Sequence, residues 1–147
     1  MPSKEVDIQL FNETDSEVPV DTELITAAAS LISNQEHRTF SFLEVVYVDE
    51  DEIVRINFEH LNRDYVTDVI TFRYDENADE DIQGTIFCCA PRIREQAEEF
   101  NQDTGTEYVR ILIHGLLHLT GYKDQSPEDK KQMTSREDHY LRLLFNA

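Results

Sequence analysis

Two histidines four residues apart, His114 and His118, stand in the run His-Gly-Leu-Leu-His-Leu-Thr-Gly-Tyr-Lys-Asp that ends on Asp124. On an α-helix, positions i and i+4 share one face, so the two imidazoles reach toward the same point. Gly121 suits the end of such a helix because glycine enters the left-handed conformation without a Cβ penalty. The chain can then reverse and carry Asp124 back toward the pair. Two imidazoles and a carboxylate make a divalent-metal site, with zinc the first choice and one ion per chain. Three protein ligands leave a coordination position open, as in catalytic rather than structural zinc.

Each residue also has a plainer reading. A lone histidine in an apolar helix is more often a satisfied core residue than a ligand. A pair at this spacing is harder to account for that way, because burying both without partners is strongly unfavourable. Asp124 taken alone reads equally as a ligand or as a turn residue after Gly121. Tyr122 and Lys123 read as exposed loop residues. His139 reads as a surface residue of the last helix, or as a fourth ligand that would make the zinc structural. Met133 reads as core filling. The spacing also resembles a degenerate metzincin protease, but Gly115 stands where that pattern has its general-base Glu, and Asp124 where it has a third His.

The elements that must position these groups can be read from periodicity. Val6–Phe11 alternates as a strand. Asp21–Glu36 carries the helical stripe Leu24, Ile25, Ala28, Leu31 and Ile32. Ser41–Val48 is a second strand, and Asp49 with Glu52 opens a second helix. Val66–Tyr74 and Gly84–Ala90 read as a hairpin of two further strands, joined by a solvated acidic loop over Asp75–Asp81. Cys88 and Cys89 alternate across the latter strand, which points one of them to the core. Pro91 opens a helix as its first residue. Thr104 with Glu107 is a capping box for the helix that carries the histidines, which is apolar almost all round and so should be central and buried. Ser126 with Asp129 caps a final helix. The order predicts an α+β fold: about four strands in a mixed sheet, about five helices, and the metal site at the end of a central buried helix. There is no internal repeat or linker, so residues 1–147 are expected to form a single domain.

Composition narrows the partners. The 147 residues are 39% hydrophobic and 30% charged, with four Gly and four Pro, a globular balance. The start has no apolar h-region, and no apolar run approaches the roughly 18 residues of a membrane span. The two cysteines are adjacent, a poor disulfide framework, so a soluble protein of the reducing cytoplasm is expected. A net charge of −18 rules out a general polyanion-binding surface. Any nucleic acid must be held by a local group of arginines or by the metal.

The His114–Tyr122 run matches throughout the His-Gly-x-Leu-His-Leu-x-Gly-Tyr signature of the YbeY family of metal-dependent endoribonucleases. Leu61-Asn62 followed by Thr67-Asp68-Val69-Ile70-Thr71-Phe72 resembles that family's Leu-Asn…Thr-Asp-Val-Leu-Ser-Phe strand, and Gly84-Thr85-Ile86 its Gly-Asp-Ile strand. The resemblance spans roughly residues 53 to 137. It implies a single YbeY-like domain over 1–147 with an α+β fold. The implied activity is a zinc-dependent endoribonuclease specific for single strands, acting in rRNA maturation and ribosome quality control. The implied partners are an rRNA precursor and the ribosome or its proteins, with no membrane. The departures are that Asp124 replaces the family's third histidine, Thr85 replaces an Asp, and the loop after Asn62 is shorter. The family's phosphate-contacting arginine has no direct counterpart in that loop. Arg63 is the nearest guanidinium and takes that role here as the candidate catalytic residue, ahead of Arg110 and Arg73. A zinc peptidase and a noncatalytic ribosome-associated module with structural zinc are the alternative functions.

Overall fold

The structure, a computed structural model, describes residues 6–75 and 81–145. In chain order the elements are β1 (Asp7–Asn12), α1 (Thr22–Glu36), β2 (Phe40–Val48), α2 (Glu50–Leu61), β3 (Val69–Arg73), β4 (Ile82–Cys89), α3 (Ala90–Glu99), α4 (Thr104–Thr120) and α5 (Pro127–Phe145). The strands form one sheet in the order β1-β2-β4-β3. β1 and β4 both run parallel to β2, and β3 pairs antiparallel with β4. This is the expected mixed four-stranded sheet with five helices.

Side-chain alternation divides the sheet into two covered faces. Leu43, Val45, Tyr47, Ile86 and Cys88 point to the face packed by α1, α3, α4 and α5. Val46, Val48, Ile70 and Cys89 point to the other, where Ile53 and Ile56 of α2 meet them. Both cysteines are therefore buried, one in each core, where a single core-facing cysteine was expected. Alternation set their opposite directions, but only the placement of α2 buries the second.

Local signals at the helix ends hold in part. Asp21 caps α1 by accepting the Leu24 N–H at 2.8 Å. Ser126 and Asp129 cap α5 reciprocally, at 3.0 and 3.1 Å, as their spacing predicts. Asp49 occupies the cap position of α2 without a side-chain bond. α3 starts one residue early, at Ala90, which puts Pro91 within the first turn, where its missing N–H is harmless. The Thr104–Glu107 box does not form. Asp103 is the cap, accepting the Thr106 N–H at 3.1 Å, and Glu107 is buried instead. Of the expected acidic loop, residues 76–80 lie outside the described residues. Asp75 is not simply solvated. It accepts a forked pair of bonds from Arg73 at 2.8 and 2.6 Å and the Gln83 N–H at 3.1 Å, closing the β3–β4 hairpin. The Arg73 bonds hold its carboxyl down at about 2.

α4 is the pivot of the helical layer. Ten of its residues are buried, as its all-round apolarity required. Its last carbonyls are claimed by cations from the sheet side: Arg73 donates to Leu119 O and Arg38 to Thr120 O, both at 3.2 Å. Gly115 lets the helix lie close on β4, since a Cβ there would come within 2.8 Å of Ile86 Cγ2. Gly115→Ala should destabilise the protein by about 1 kcal/mol in urea unfolding. Overpacking of roughly 1–3 kcal/mol there exceeds the gain of roughly 1 kcal/mol from replacing a helical glycine. A variant as stable as the parent would refute the close seating.

Candidate metal centre

His114 and His118 lie one turn apart near the C-terminal end of α4, rings 4.7 Å apart and tilted by 71°. The helix ends at Gly121, whose φ of +116° only glycine adopts without strain. Gly121 N–H donates to His118 O at 3.0 Å and Tyr122 N–H to Leu117 O at 3.1 Å, which closes the helix and reverses the chain. The reversal delivers Asp124: its Oδ2 stands 3.6 Å from His114 Nε2. One donor atom from each of His114, His118 and Asp124 can be chosen so that all three lie within 4.8 Å of one another. The three expected ligands are thus brought together.

The donor set suits a divalent ion. His114 Nδ1 lies 2.7 Å from Glu137 Oε2. A carboxylate only accepts, so Nδ1 carries the hydrogen, and the lone pair of Nε2 is left facing Asp124. This carboxylate–histidine arrangement fixes tautomer and ring orientation in metal sites. Glu137 is itself held on its other oxygen by Arg110 at 2.9 Å, and Arg110 reaches on to Asp138 at 2.7 Å. Burial pulls the His114 imidazolium down, but the Glu137 bond and charge, with Asp68 and Asp124 adding, raise it overall. His118 is lowered, first by burial and then by the neighbouring His114. A cation placed among these groups supplies what both histidines lack: a partner for two lone pairs and one carboxylate.

Glu137 is not among the residues that motif and spacing single out. Its signal was present: Met133, Glu137, Tyr140 and Leu141 all fall on the buried stripe of α5, and a carboxylate on such a stripe needs a partner. Tyr122 is half-buried, not an exposed loop residue, and its hydroxyl donates to Glu36 at 2.7 Å. Glu36 also accepts from Tyr140 at 2.5 Å and Arg136 at 2.8 Å, so the loop carrying Asp124 is tied to α1 and α5. Lys123 is exposed as expected. His139 contacts Gln35 at 2.6 Å and is not in the donor cluster. Arg63 is exposed, on the loop between α2 and β3, beside a depression of about 70 Å³ shared with Asn57, Tyr65 and Thr67.

Glu137→Ala should weaken zinc binding by about 10–100-fold in a chelator competition, the usual effect of losing such a partner. Glu137→Gln should fall between, since it still accepts one bond. Affinity equal to the parent in both would mean that Glu137 does not orient the ligand.

The model of the Endoribonuclease YbeY family matches residues 9–144. An endoribonuclease YbeY of Chlorobium luteolum is 37% identical over 138 residues, covering 94% of this chain and 98% of its own. One from Flavobacterium psychrophilum is 36% identical over 135 residues, covering 91% and 94%. A Thermotoga maritima protein solved in solution matches the fold with a TM-score of 0.63 at 28% identity, covering 92% of this chain and 87% of the other. By the match of the family model and of these relatives over nearly the whole chain, the chain belongs to the endoribonuclease YbeY family.

Proposed function

We propose that the chain works as one YbeY-like domain, a zinc-dependent endoribonuclease that cuts single-stranded rRNA precursor in the cytoplasm and contacts the ribosome. The observation that supports this reading is the convergence of His114, His118 and Asp124, with the His114 ring held by Glu137. An ion held by these three residues would supply Lewis acidity toward a phosphodiester and toward water. The protein's own groups do the rest. Glu137 keeps the His114 lone pair directed at the site, and Asp124 contributes the one negative charge of the ligand set. Gly115 supplies no carboxylate where a peptidase of the metzincin pattern needs its base, and family membership points to RNA. Among the described residues no helix is long and apolar enough to cross a membrane.

Arg63 is assigned the substrate phosphate. Of Arg63, Arg73 and Arg110, Arg73 is taken by Asp75, and Arg110 by Glu137 and Asp138. Arg63 is exposed on the loop that leads to Asp68, whose charge is felt at His114. Its guanidinium suits bidentate contact with a phosphate.

Replacing both His114 and His118 with Ala should abolish bound zinc, read by elemental analysis, and with it cleavage of a single-stranded RNA. Zinc content unchanged from the parent sinks the proposal. Arg63→Ala should cut the rate at least tenfold while zinc stays in place. Asp124→His removes a negative charge from the ligand set, so the alkaline limb of the pH–rate profile should move to lower pH. Metal preference should also tighten toward zinc. A limb that stays where it is in the parent contradicts the charge argument.

A further inference from the structure

Of the chain's 13 Lys and Arg residues, five arginines are already engaged by carboxylates: Arg55, Arg73, Arg92, Arg110 and Arg136. The outer face of α5 differs. Lys130, Lys131, Thr134, Ser135, Asp138 and Arg142 line one open groove of about 500 Å³. Among the described residues no carboxylate is paired with Lys130, Lys131 or Arg142, and all three are exposed. The single acid lining the groove, Asp138, is paired with Arg110 at 2.7 Å, a cation it shares with Glu137. Lys131, Ser135, Asp138 and Arg142 recur at helical spacing, and the groove runs roughly 18 Å along the helix. Its place on α5 matters as much as its charge. Arg110 bridges Glu137 and Asp138, so the groove lies on the flank of α5 that serves His114. The opposite flank is occupied by α1, through Arg136 to Glu36 and His139 to Gln35.

We propose that this groove is the docking surface for the phosphodiester backbone of single-stranded RNA, leading the strand to the metal centre. It rests on the endoribonuclease reading and names how a chain of net charge −18 holds a polyanion. Three unpaired cations contact phosphates, and the hydroxyls of Thr134 and Ser135 donate to phosphate oxygens without adding charge. Contacts of this kind carry no sequence information, so they suit a strand whose cleavage point is set at the metal.

The test uses the zinc-loaded full chain and a fluorescent single-stranded oligoribonucleotide, with anisotropy measured over a salt series. Lys131→Gln/Arg142→Gln is compared with Arg55→Gln/Arg92→Gln, which removes the same charge from cations already paired. The groove variant should bind several-fold more weakly and lower the log–log salt slope by about 1.4, at roughly 0.7 per single-strand contact. Its zinc content should be unchanged, and its loss in cleavage should lie in KM and not kcat. The control should bind as the parent does. Equal losses in both variants, no loss in either, or tighter parent binding to a duplex of the same sequence would each overturn the groove. If the parent binds RNA through the groove but cuts none, the groove stands and the endoribonuclease reading falls. If the parent binds no RNA, both fall.

Discussion

Burying α4 while keeping His114 and His118 reachable is the constraint under which the rest of the chain is arranged. A helix so apolar must be enclosed, and four strands, α1, α3 and α5 enclose it. Its one polar stripe runs through Glu107, Arg110, His114 and His118, and each of these needs a partner where water is scarce. α5 supplies them with Glu137 and Asp138, and the reversal at Gly121 supplies Asp124. The candidate metal centre is thus the place where the polar edge of a buried helix is satisfied.

The end of α4 is fixed from several directions at once. Arg73 and Arg38 bind its last carbonyls from the sheet side, and Tyr122 ties the following loop to Glu36. Tyr122 also meets the His118 ring through its backbone. Together they leave Asp124 little freedom to drift, and a metal site needs ligands held to a few tenths of an ångström before the ion arrives.

How much of this was legible in the sequence depended on range. The histidine pair, the helix-ending glycine, the Ser126 cap and the β3–β4 hairpin are local patterns, and the structure keeps them. Asp124 was legible as a position, since the turn that returns it spans only a few residues. Glu137 pairs with a residue 23 positions away and Glu36 with one 86 away, and no spacing rule links such pairs. The Thr104 box lost to Asp103 because two neighbouring residues offered competing caps, and the carboxylate at the cap freed Glu107 to turn inward beside Arg110. The parallel pairing of β1, β2 and β4 likewise depends on which helices cross between them.

The two free thiols have a consequence for the ion itself. Cys88 is fully buried, and burial pushes its thiol far up; Cys89 is raised for the same first reason. The thiolate, not the thiol, is the soft ligand and the oxidisable form. Burial thus disfavours the thiolate at both sulfurs, and neither belongs to the donor cluster, although Cys88 shares the core with the helix that bears the histidines. Only nitrogen and oxygen compete for the cation, a set that borderline metals share. Which metal such a donor set would take is then governed by coordination geometry and by cellular supply, and not by thiophilicity.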